Sequence, residues 1–384
     1  MKKELSFIIL LGISFSIHAQ EQVAIGGARD ESLRLEVARS IDRGLEWLAR
    51  NQKDEGWWST EDHPALTALA LRGFYGSGSE FQRKKYGEKL EEGFEFLIRH
   101  SHEDGSIYNK KELQNYNTAV SLSAFMAAED PRYRAVAIRA RNYLVSQQWD
   151  FGEKGKMDHP MDGGVGYGSY PHSDMSNTMM ALEAMYLSRN LVPKDSEMFQ
   201  DLNWEAAIHF VQNCQNLPET NRGEWVSGDK ANRGGFVYYP ANSKAGEMKL
   251  EDGRVALRSY GSISYAGMMS FIYADMDRDD PRLKAALQWL SENYTLEENP
   301  GMGAQGLYYY YHTMGKALDM YGIDQLKTED QGSVDWRKNL ALKLIQLQKP
   351  DGSWMNENSR WWENDPVLAT SYTIQALQRV HAGL

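Results

Sequence analysis

Apolar residues recur along the chain in two kinds of segment that alternate six times. In the first kind, an aromatic residue followed by an aliphatic one marks an apolar stripe, and polar residues fill the intervening positions. A single stripe at helical spacing predicts an amphipathic helix with one buried face. Five such segments lie at residues 44–48, 93–97, 140–144, 207–211 and 286–290, and a sixth, which lacks the aromatic residue, lies at 342–348.

The second kind of segment is rich in Ala, Met and Leu and is apolar on nearly all sides. A helix of this composition must be covered on nearly all sides, so these segments predict an inner layer. An open solenoid is the alternative, but it would leave the inner helices of its end units exposed. The alternation therefore predicts an all-α protein, an α/α toroid of six outer and six inner helices. The inner segments lie at residues 65–71, 119–126, 179–185, 263–271, 314–320 and 368–377.

The N-terminus has the layout of a secretory signal peptide. Two lysines precede an apolar stretch at residues 5–17, and His18-Ala19-Gln20 follows it. This stretch is shorter than the roughly 20 residues that cross a bilayer. We therefore predict a signal peptide at 1–19, a short segment at 20–31, one toroid domain at 32–384 and an exported protein, periplasmic or secreted. An uncleaved membrane anchor is the alternative.

Composition narrows the function. The chain has 42 Lys+Arg against 53 Asp+Glu, a net charge of -11, which argues against nucleic acid as a partner. Apolar residues make up 42% and aromatic residues 11%, enough for a large core. The one cysteine, Cys214, excludes a disulfide framework and a Cys-rich zinc site.

A recurring turn carries a family resemblance. Gln, a Gly four residues on and a Trp six residues on occur at Gln52 and again at Gln348, and Gly352 suits a tight turn with positive φ. The full motif resembles that of the squalene cyclase and prenyltransferase repeat superfamily, whose fold is the terpenoid cyclase-like toroid. The resemblance covers residues 32–382. The motif reads Gly44-x2-Trp47-Leu48-x3-Gln52-x3-Gly56-x-Trp58.

The resemblance implies a central cavity for a polyisoprenoid chain. In class II triterpene cyclases an Asp-x-Asp-Asp-Thr motif at the start of an inner helix protonates the substrate. The best match here is Asp174-Met-Ser176-Asn177-Thr178, which lacks two of the three carboxylates. Ser and Asn cannot supply the acid that protonates an alkene, so we expect no ordinary cyclase chemistry. The literal Asp277-Arg-Asp279-Asp280 precedes a proline and predicts a helix cap instead.

The prenyltransferase branch of the superfamily combines a Tyr-His-Thr sequence with an Asp-x-Cys pair that binds zinc. Tyr311-His312-Thr313 matches the first element, but no Asp-x-Cys occurs in the chain. A transferase acting on a protein thiol is therefore not expected.

The topology of a toroid predicts the site. The starts of the inner helices converge at one mouth, where their positive dipole ends favour an anionic or polar ligand group above an apolar cavity. Imidazoles there would titrate near neutrality. The alternative is that these residues are helix caps and loop anchors, with Asp174, Asn117 and Asp365 the most cap-like. The catalytic candidates are His63, His172, Asp174 and His312. The substrate-binding candidates are Trp57, Trp58, Tyr116, Asn117, Tyr170, Asn177, Tyr260, Tyr310, Trp361, Trp362 and Asp365.

Three functions agree with the sequence. The first is an exported cyclase-like protein that binds an isoprenoid or other apolar lipid and, if it is an enzyme, transforms it as an isomerase or lyase. The second is a secreted polysaccharide lyase or hydrolase, and the third is a non-catalytic binding scaffold. A cavity lined by Met and Leu would favour lipid, and a groove lined by Trp and carboxylates would favour sugar. No cofactor is expected, and a divalent metal held by His and Asp remains an open alternative.

Overall fold

The computed structural model describes residues 10–169, 171–250, 253–328 and 332–384, with side chains from residue 31 onward. Most of this part of the chain is helical, and the two antiparallel hairpins in it are short. The helices are α1 (Leu10–Asn51), α2 (Pro64–Gly73), α3 (Glu80–Lys85), α4 (Gly87–Arg99), α5 (Gln114–Ala128), α6 (Arg134–Ser146), α7 (Met175–Leu187), α8 (Trp204–Asn213), α9 (Gly261–Tyr273), α10 (Pro281–Glu292), α11 (Leu307–Tyr321), α12 (Trp336–Leu347) and α13 (Pro366–Gly383). The strands are β1 (Glu247–Lys249), β2 (Val255–Leu257), β3 (Gln325–Thr328) and β4 (Gly332–Asp335).

The inner helices form a closed ring. Each contacts the next in the order α2, α5, α7, α9, α11 and α13, and α13 returns to contact α2. Within these helices the described residues are buried on almost every side, as the uniformly apolar segments predict. This arrangement confirms the α/α toroid.

Helices α1, α4, α6, α8, α10 and α12 pack on the outside of the ring. Each outer helix touches an inner helix with its apolar stripe; α4, for example, packs on α2 through Leu90, Phe94 and Leu97. Helix α1 contacts both α12 and α13, so the first and last helices of the toroid meet where the ring closes. The short helix α3 is an addition between α2 and α4.

The repeated turn ties the outer layer to the inner one. Gln52 Nε2 donates to the carbonyl of Gly56 at 3.0 Å, and the indole N–H of Trp58 donates to the carbonyl of Leu48 at 2.7 Å. Gly56 has a φ of 92°, and a Cβ there would collide with the Glu92 carbonyl, so glycine is required. The second copy repeats these contacts with Gln348, Gly352, Trp354 and Leu344.

The structure describes only part of the predicted signal peptide. Its first nine residues lie outside the described residues, and its remainder belongs to α1, whose helical backbone runs from Leu10 to Asn51. Cleavage and export stay predictions. No helix in the described part of the chain is long and apolar enough to cross a membrane.

Candidate functional site

A cavity of about 330 Å³ lies among the N-terminal ends of the inner helices. We call it the aromatic cavity, because tyrosines, two tryptophans and aliphatic side chains form most of its wall. Its lining residues are His63, Leu66, Leu113, Tyr116, Tyr167, Ser176, Met180, Tyr238, Tyr260, Ser262, Ile263, Gly306, Tyr309, Trp361, Trp362, Glu363, Leu368 and Tyr372. The cavity therefore lies where the convergence of the inner helices predicts it.

The tyrosines of the wall are partly paired with one another. The hydroxyls of Tyr116 and Tyr372 lie 3.2 Å apart, and the Tyr238 hydroxyl donates to that of Tyr167 at 3.3 Å. The buried Tyr309 hydroxyl has no hydrogen-bond partner among the described residues. Burial raises the pKa of Tyr116 to about 12. These phenols are therefore neutral at physiological pH and present ring faces and hydroxyls.

Asp174 lies behind the wall of the cavity. It is fully buried and caps α7 by accepting from the backbone N–H of Asn177 at 3.0 Å. The Ser176 hydroxyl donates to its Oδ1 at 2.7 Å, and the Asn177 amide donates to its Oδ2 at 2.8 Å. Burial raises the pKa of Asp174, although these hydrogen bonds oppose the shift. The two residues that stand where a cyclase has carboxylates thus hydrogen-bond to Asp174, and Ser176 faces the cavity in its place.

The starts of α2 and α13 are also capped by side chains. The Asn117 Oδ1 accepts from the N–H of Ala65 in α2 at 3.0 Å, and Asp365 accepts from the N–H of Val367 in α13 at 2.7 Å. The Ser59 hydroxyl also donates to Asp365. Protein side chains therefore already satisfy N–H groups at the starts of α2, α7 and α13, and at these three ends the expectation of an opening for an anionic ligand group is wrong.

Glu363 was not predicted, although it lines the cavity. Its carboxylate is 1% exposed and accepts from the N–H of Tyr309 at 2.7 Å, the N–H of Tyr308 at 3.2 Å and the Asn356 amide at 2.7 Å. Burial raises its pKa against these hydrogen bonds. Glu363 thus caps α11 from a loop more than 50 residues away in sequence, a contact without a local sequence signal.

His63 and His312 occupy different levels of the ring. His63 lies at the cavity wall with its ring centroid 5.0 Å from that of Trp362. His312 lies deeper, is 1% exposed and stacks on Tyr372 at 5.0 Å, with neither ring nitrogen hydrogen-bonded within the described structure. Burial lowers the pKa of both imidazoles, that of His312 well below its usual value. The expectation of titration near neutrality is therefore corrected for His312, which is neutral at pH 7.

Several predicted residues lie away from the cavity. His172 stacks on Tyr239 at 5.3 Å outside the lining. The Tyr310 hydroxyl donates to the carbonyl of Thr295 at 2.9 Å, on the outer side of α11. Trp58 is fully buried in the repeated turn. Trp57 packs beside Lys53. Asn177 hydrogen-bonds to Asp174 rather than facing the cavity. Tyr170 lies outside the described residues.

Trp361 and Trp362 cover the mouth of the cavity and are called the tryptophan lid below. They are 40% and 49% exposed, and their φ angles are 55° and 66°. Left-handed backbone at two successive non-glycine residues is strained, and such strain clusters at functional sites. A Cβ on Gly306 would lie 3.0 Å from the Trp361 ring, so this glycine allows the indole to approach α11.

The described residues contain no group of three or more His, Cys, Asp or Glu that is arranged to hold a metal ion. The buried carboxylates of the mouth are instead engaged with helix N–H groups and amides. A metal at this site therefore has no support from the geometry of the described side chains.

Comparison with known proteins supports the fold. No family model and no curated protein matches the chain. The structure is similar to that of the type II terpene cyclase MstE from Scytonema in complex with its substrate geranylgeranyl dihydroxybenzoate, with 12% identity, a TM-score of 0.52 and coverage of 92% of this chain and 100% of that one. It is also similar to a GH76 α-mannanase from Bacteroides thetaiotaomicron, with 13% identity, a TM-score of 0.54 and coverage of 90% and 96%. At such identities these likenesses show the terpenoid cyclase-like toroid fold and do not identify a substrate.

Proposed function

We propose that this chain binds an isoprenoid or another small apolar lipid in the aromatic cavity. The observation that carries the proposal is the wall itself, in which tyrosine rings and the side chains of Leu66, Met180, Ile263 and Leu368 surround about 330 Å³. Small-molecule sites have this size and this mainly apolar character with a few polar groups. The cyclase MstE, which has the same fold, is described in complex with a geranylgeranyl compound.

The proposal is binding without protonation of an alkene. Ser176 takes the position on the wall where an acid would be needed, and Asp174 behind it already accepts three hydrogen bonds. Asp174 does not line the cavity, and burial raises its pKa, which makes it a weaker acid than protonation of an alkene requires. We therefore expect purified protein to form no hopene-type product from squalene; such a product would refute this part of the proposal.

The tryptophan lid provides the entrance. Both indoles line the cavity on one side and contact solvent on the other, so their movement would open a path for an apolar ligand. The neutral tyrosine hydroxyls, including the unpartnered one of Tyr309, are suited to one polar group at the end of such a ligand.

A sugar ligand is the second candidate, because exposed tryptophan faces stack well on sugar rings and the GH76 mannanase has the same fold. Glycoside hydrolysis ordinarily uses two carboxylates that flank the scissile bond. Among the described residues that line the cavity, Glu363 is the single carboxylate, and it caps α11. A single carboxylate at the cavity therefore favours a lipid ligand over a sugar that is hydrolysed.

Ligand binding can be measured directly with geranylgeraniol and with a mannose oligosaccharide, by quenching of tryptophan fluorescence and by native mass spectrometry. Leu113→Trp adds a bulky ring to the cavity wall and should weaken geranylgeraniol binding by about fivefold or more, since overpacking costs at least about 1 kcal/mol. The matched control is Leu342→Trp on α12, where the leucine is 55% exposed. Equal binding by both variants, or preference for the oligosaccharide, would contradict the lipid proposal.

The variant His312→Ala tests whether His312 belongs to the wall of the aromatic cavity or to the buried core behind it. Because His312 contacts Tyr372 but does not line the cavity, its loss should change stability more than ligand content. Loss of bound lipid in a variant of unchanged stability would show that His312 contacts the ligand.

We also propose that the protein is exported. The support is the N-terminal pattern of two lysines, an apolar stretch and Ala19. Mass spectrometry of the protein expressed with its own N-terminus should find a mature chain that begins at Gln20. An intact chain that begins at Met1 would contradict export by this route.

A further inference from the structure

A second cavity lies at the opposite end of the ring, where the inner helices end. Its volume is about 760 Å³, and we call it the polar cavity. Arginine, lysine, glutamine and serine side chains reach it from α2, α5, α11 and α13. The residues that matter for its chemistry are Arg72, Ser123, Arg134, Lys316, Gln375 and Arg379.

The floor of the polar cavity is a buried group of three charges. Arg72 Nη2 lies 2.7 Å from Glu183 Oε1, and Lys316 Nζ lies 2.6 Å from Glu183 Oε2. The side chains of Glu183 and Lys316 are each 2% exposed, and that of Arg72 is 10% exposed. One carboxylate is thus shared by two cations, which leaves one positive charge uncompensated within this buried group.

Both cations have donors to spare, and both residues line the polar cavity. The described structure gives Arg72 one hydrogen bond, from Nη2, which leaves its Nε and Nη1 groups without a partner in the described part of the chain. It likewise gives Lys316 one hydrogen bond, although an ammonium group has three donors. These groups are positioned to bind a ligand in the cavity.

The walls add to the positive charge. Four basic residues line the polar cavity, namely Arg72, Arg134, Lys316 and Arg379, and two acidic ones, Glu129 and Asp130. Asp130 is already paired with Arg132 and Arg379 with Asp319, and Glu129 and Arg134 are exposed, so the uncompensated charge is that of Arg72 and Lys316. A basic cavity is unexpected in a chain whose net charge is -11. A buried positive charge without a counterion is costly, so the arrangement favours an anion in the cavity.

We propose that the polar cavity is a binding site for a small anion with a phosphate or carboxylate group, held by the guanidinium of Arg72 and the ammonium of Lys316. The planar fork of arginine suits two-oxygen recognition of either group. This site is separate from the aromatic cavity, since the Glu183 cluster and His312 fill the ring between the two. Failure of lipid binding in the aromatic cavity would therefore leave anion binding in the polar cavity unaffected, and the reverse also holds.

Calorimetric titration of the full chain with inorganic phosphate and with citrate tests the site, with sodium chloride at equal ionic strength as the reference. We expect saturable binding of at least one of the two probes. Binding of phosphate alone would identify a phosphoryl ligand, and binding of citrate alone a carboxylate ligand. Failure of both probes to bind more tightly than chloride would overturn the proposal.

Substitutions in the polar cavity test whether the anion binds there. Arg72→Met and Lys316→Met should each abolish it, but both also disturb the buried charge group. Ala127→Glu leaves that group intact and places a carboxylate on the cavity wall, so it should weaken anion binding at least about tenfold through like-charge repulsion. Ala285→Glu on the outer helix α10 makes the same charge change elsewhere and should bind as the wild type does. Equal effects of the two glutamates would overturn the assignment.

Anion affinity measured over a pH series distinguishes direct contact of Lys316 with the anion from a purely structural role of this lysine. Burial lowers the pKa of Lys316 to about 8, against the attraction of Glu183. The charged or titratable groups that act on Lys316 are Glu183 from α7, Arg72 from α2, Arg379 from α13 and His312 from α11 itself. Anion affinity should therefore fall about tenfold per pH unit above pH 8 as the ammonium loses its proton. Lys316→Arg should remove this fall; an identical fall in that variant would show that Lys316 does not contact the anion.

Discussion

Replacing Glu183 with glutamine tests the energetic role of the buried charge group. Burial alone would raise the pKa of Glu183, but the charges of Arg72 and Lys316 outweigh it and hold the pKa well below its usual value. The variant keeps the shape of the side chain and removes its charge. It leaves two cations near each other with no carboxylate between them.

The expected loss in free energy of unfolding is about 3–5 kcal/mol at pH 7, as for other buried ion pairs that lose one partner. Lys316 can reduce its contribution to this loss in free energy of unfolding by releasing its proton. Its pKa is already lowered from 10.5 to about 8, so complete deprotonation at pH 7 adds at most roughly 1–2 kcal/mol. Arg72 has no such release, because a guanidinium stays protonated, and it accounts for the larger share.

The pH dependence has a defined sign. A lysine whose pKa is lower in the folded protein binds fewer protons there than in the unfolded chain, so stability rises with pH between the two pKa values. In the wild type this rise begins near pH 8. In Glu183→Gln the folded pKa falls further and the rise begins lower. The penalty of the substitution should therefore shrink by about 1 kcal/mol between pH 7 and pH 9.

Urea denaturation at pH 7, 8 and 9 measures these quantities. Glu46→Gln is the matched control, since Glu46 pairs with Lys85 at the surface with both side chains at least 40% exposed, and it should cost less than about 1 kcal/mol. A loss below about 1 kcal/mol in Glu183→Gln, or a penalty that grows with pH, would refute the reasoning and remove the basis for an uncompensated cation.

Four other substitutions test single contacts by thermal or chemical denaturation. Trp47→Ala empties a site where the indole is 8% exposed and should cost roughly 3–5 kcal/mol. Thr67→Val removes the acceptor of the Trp58 backbone N–H, 3.1 Å away, and should cost about 1–3 kcal/mol; a neutral result would show that water replaces it. Asp280→Ala removes the cap of α10 and should cost about 1 kcal/mol without changing lipid binding, whereas a loss of binding would show that the acidic motif has a functional role. Gly306→Ala, at a φ of 66°, should displace the tryptophan lid and speed lipid release in stopped-flow fluorescence; unchanged release would show that the lid does not control exit.

The sequence predicts the positions of the ring helices, because an apolar stripe or an all-round apolar segment depends only on local spacing. It does not predict the hairpins β1–β2 and β3–β4. Their strands are three or four residues long and lie largely at the surface, so too few buried positions alternate to form a pattern. Helix α3 is missed for a similar reason, since Gln82 is its one buried residue.

The position of the aromatic cavity is predicted from the sequence, but its lining is not predicted in detail. Tyr309 and Tyr310 are neighbours on α11, yet one lines the cavity and the other hydrogen-bonds to Thr295 on the far side. Successive residues on a helix differ by about 100° in direction, so the choice between them depends on the rotation of α11 in the ring. Glu363 is hidden for another reason, because it acts on a helix that is distant in sequence.

The two cavities differ in the charge that their walls present, and this difference follows from the ends of the helices that form them. At the N-terminal ends, Asp174, Glu363 and Asp365 satisfy backbone N–H groups, and burial keeps the phenol of Tyr116 and the imidazole of His312 neutral. At the C-terminal ends, Arg72 and Lys316 keep unused hydrogen-bond donors. The two proposals accordingly assign an uncharged apolar ligand to the first cavity and an anion to the second. With Glu183 and His312 between them, one short ligand does not span both, and the ring holds two cavities of opposite chemical character.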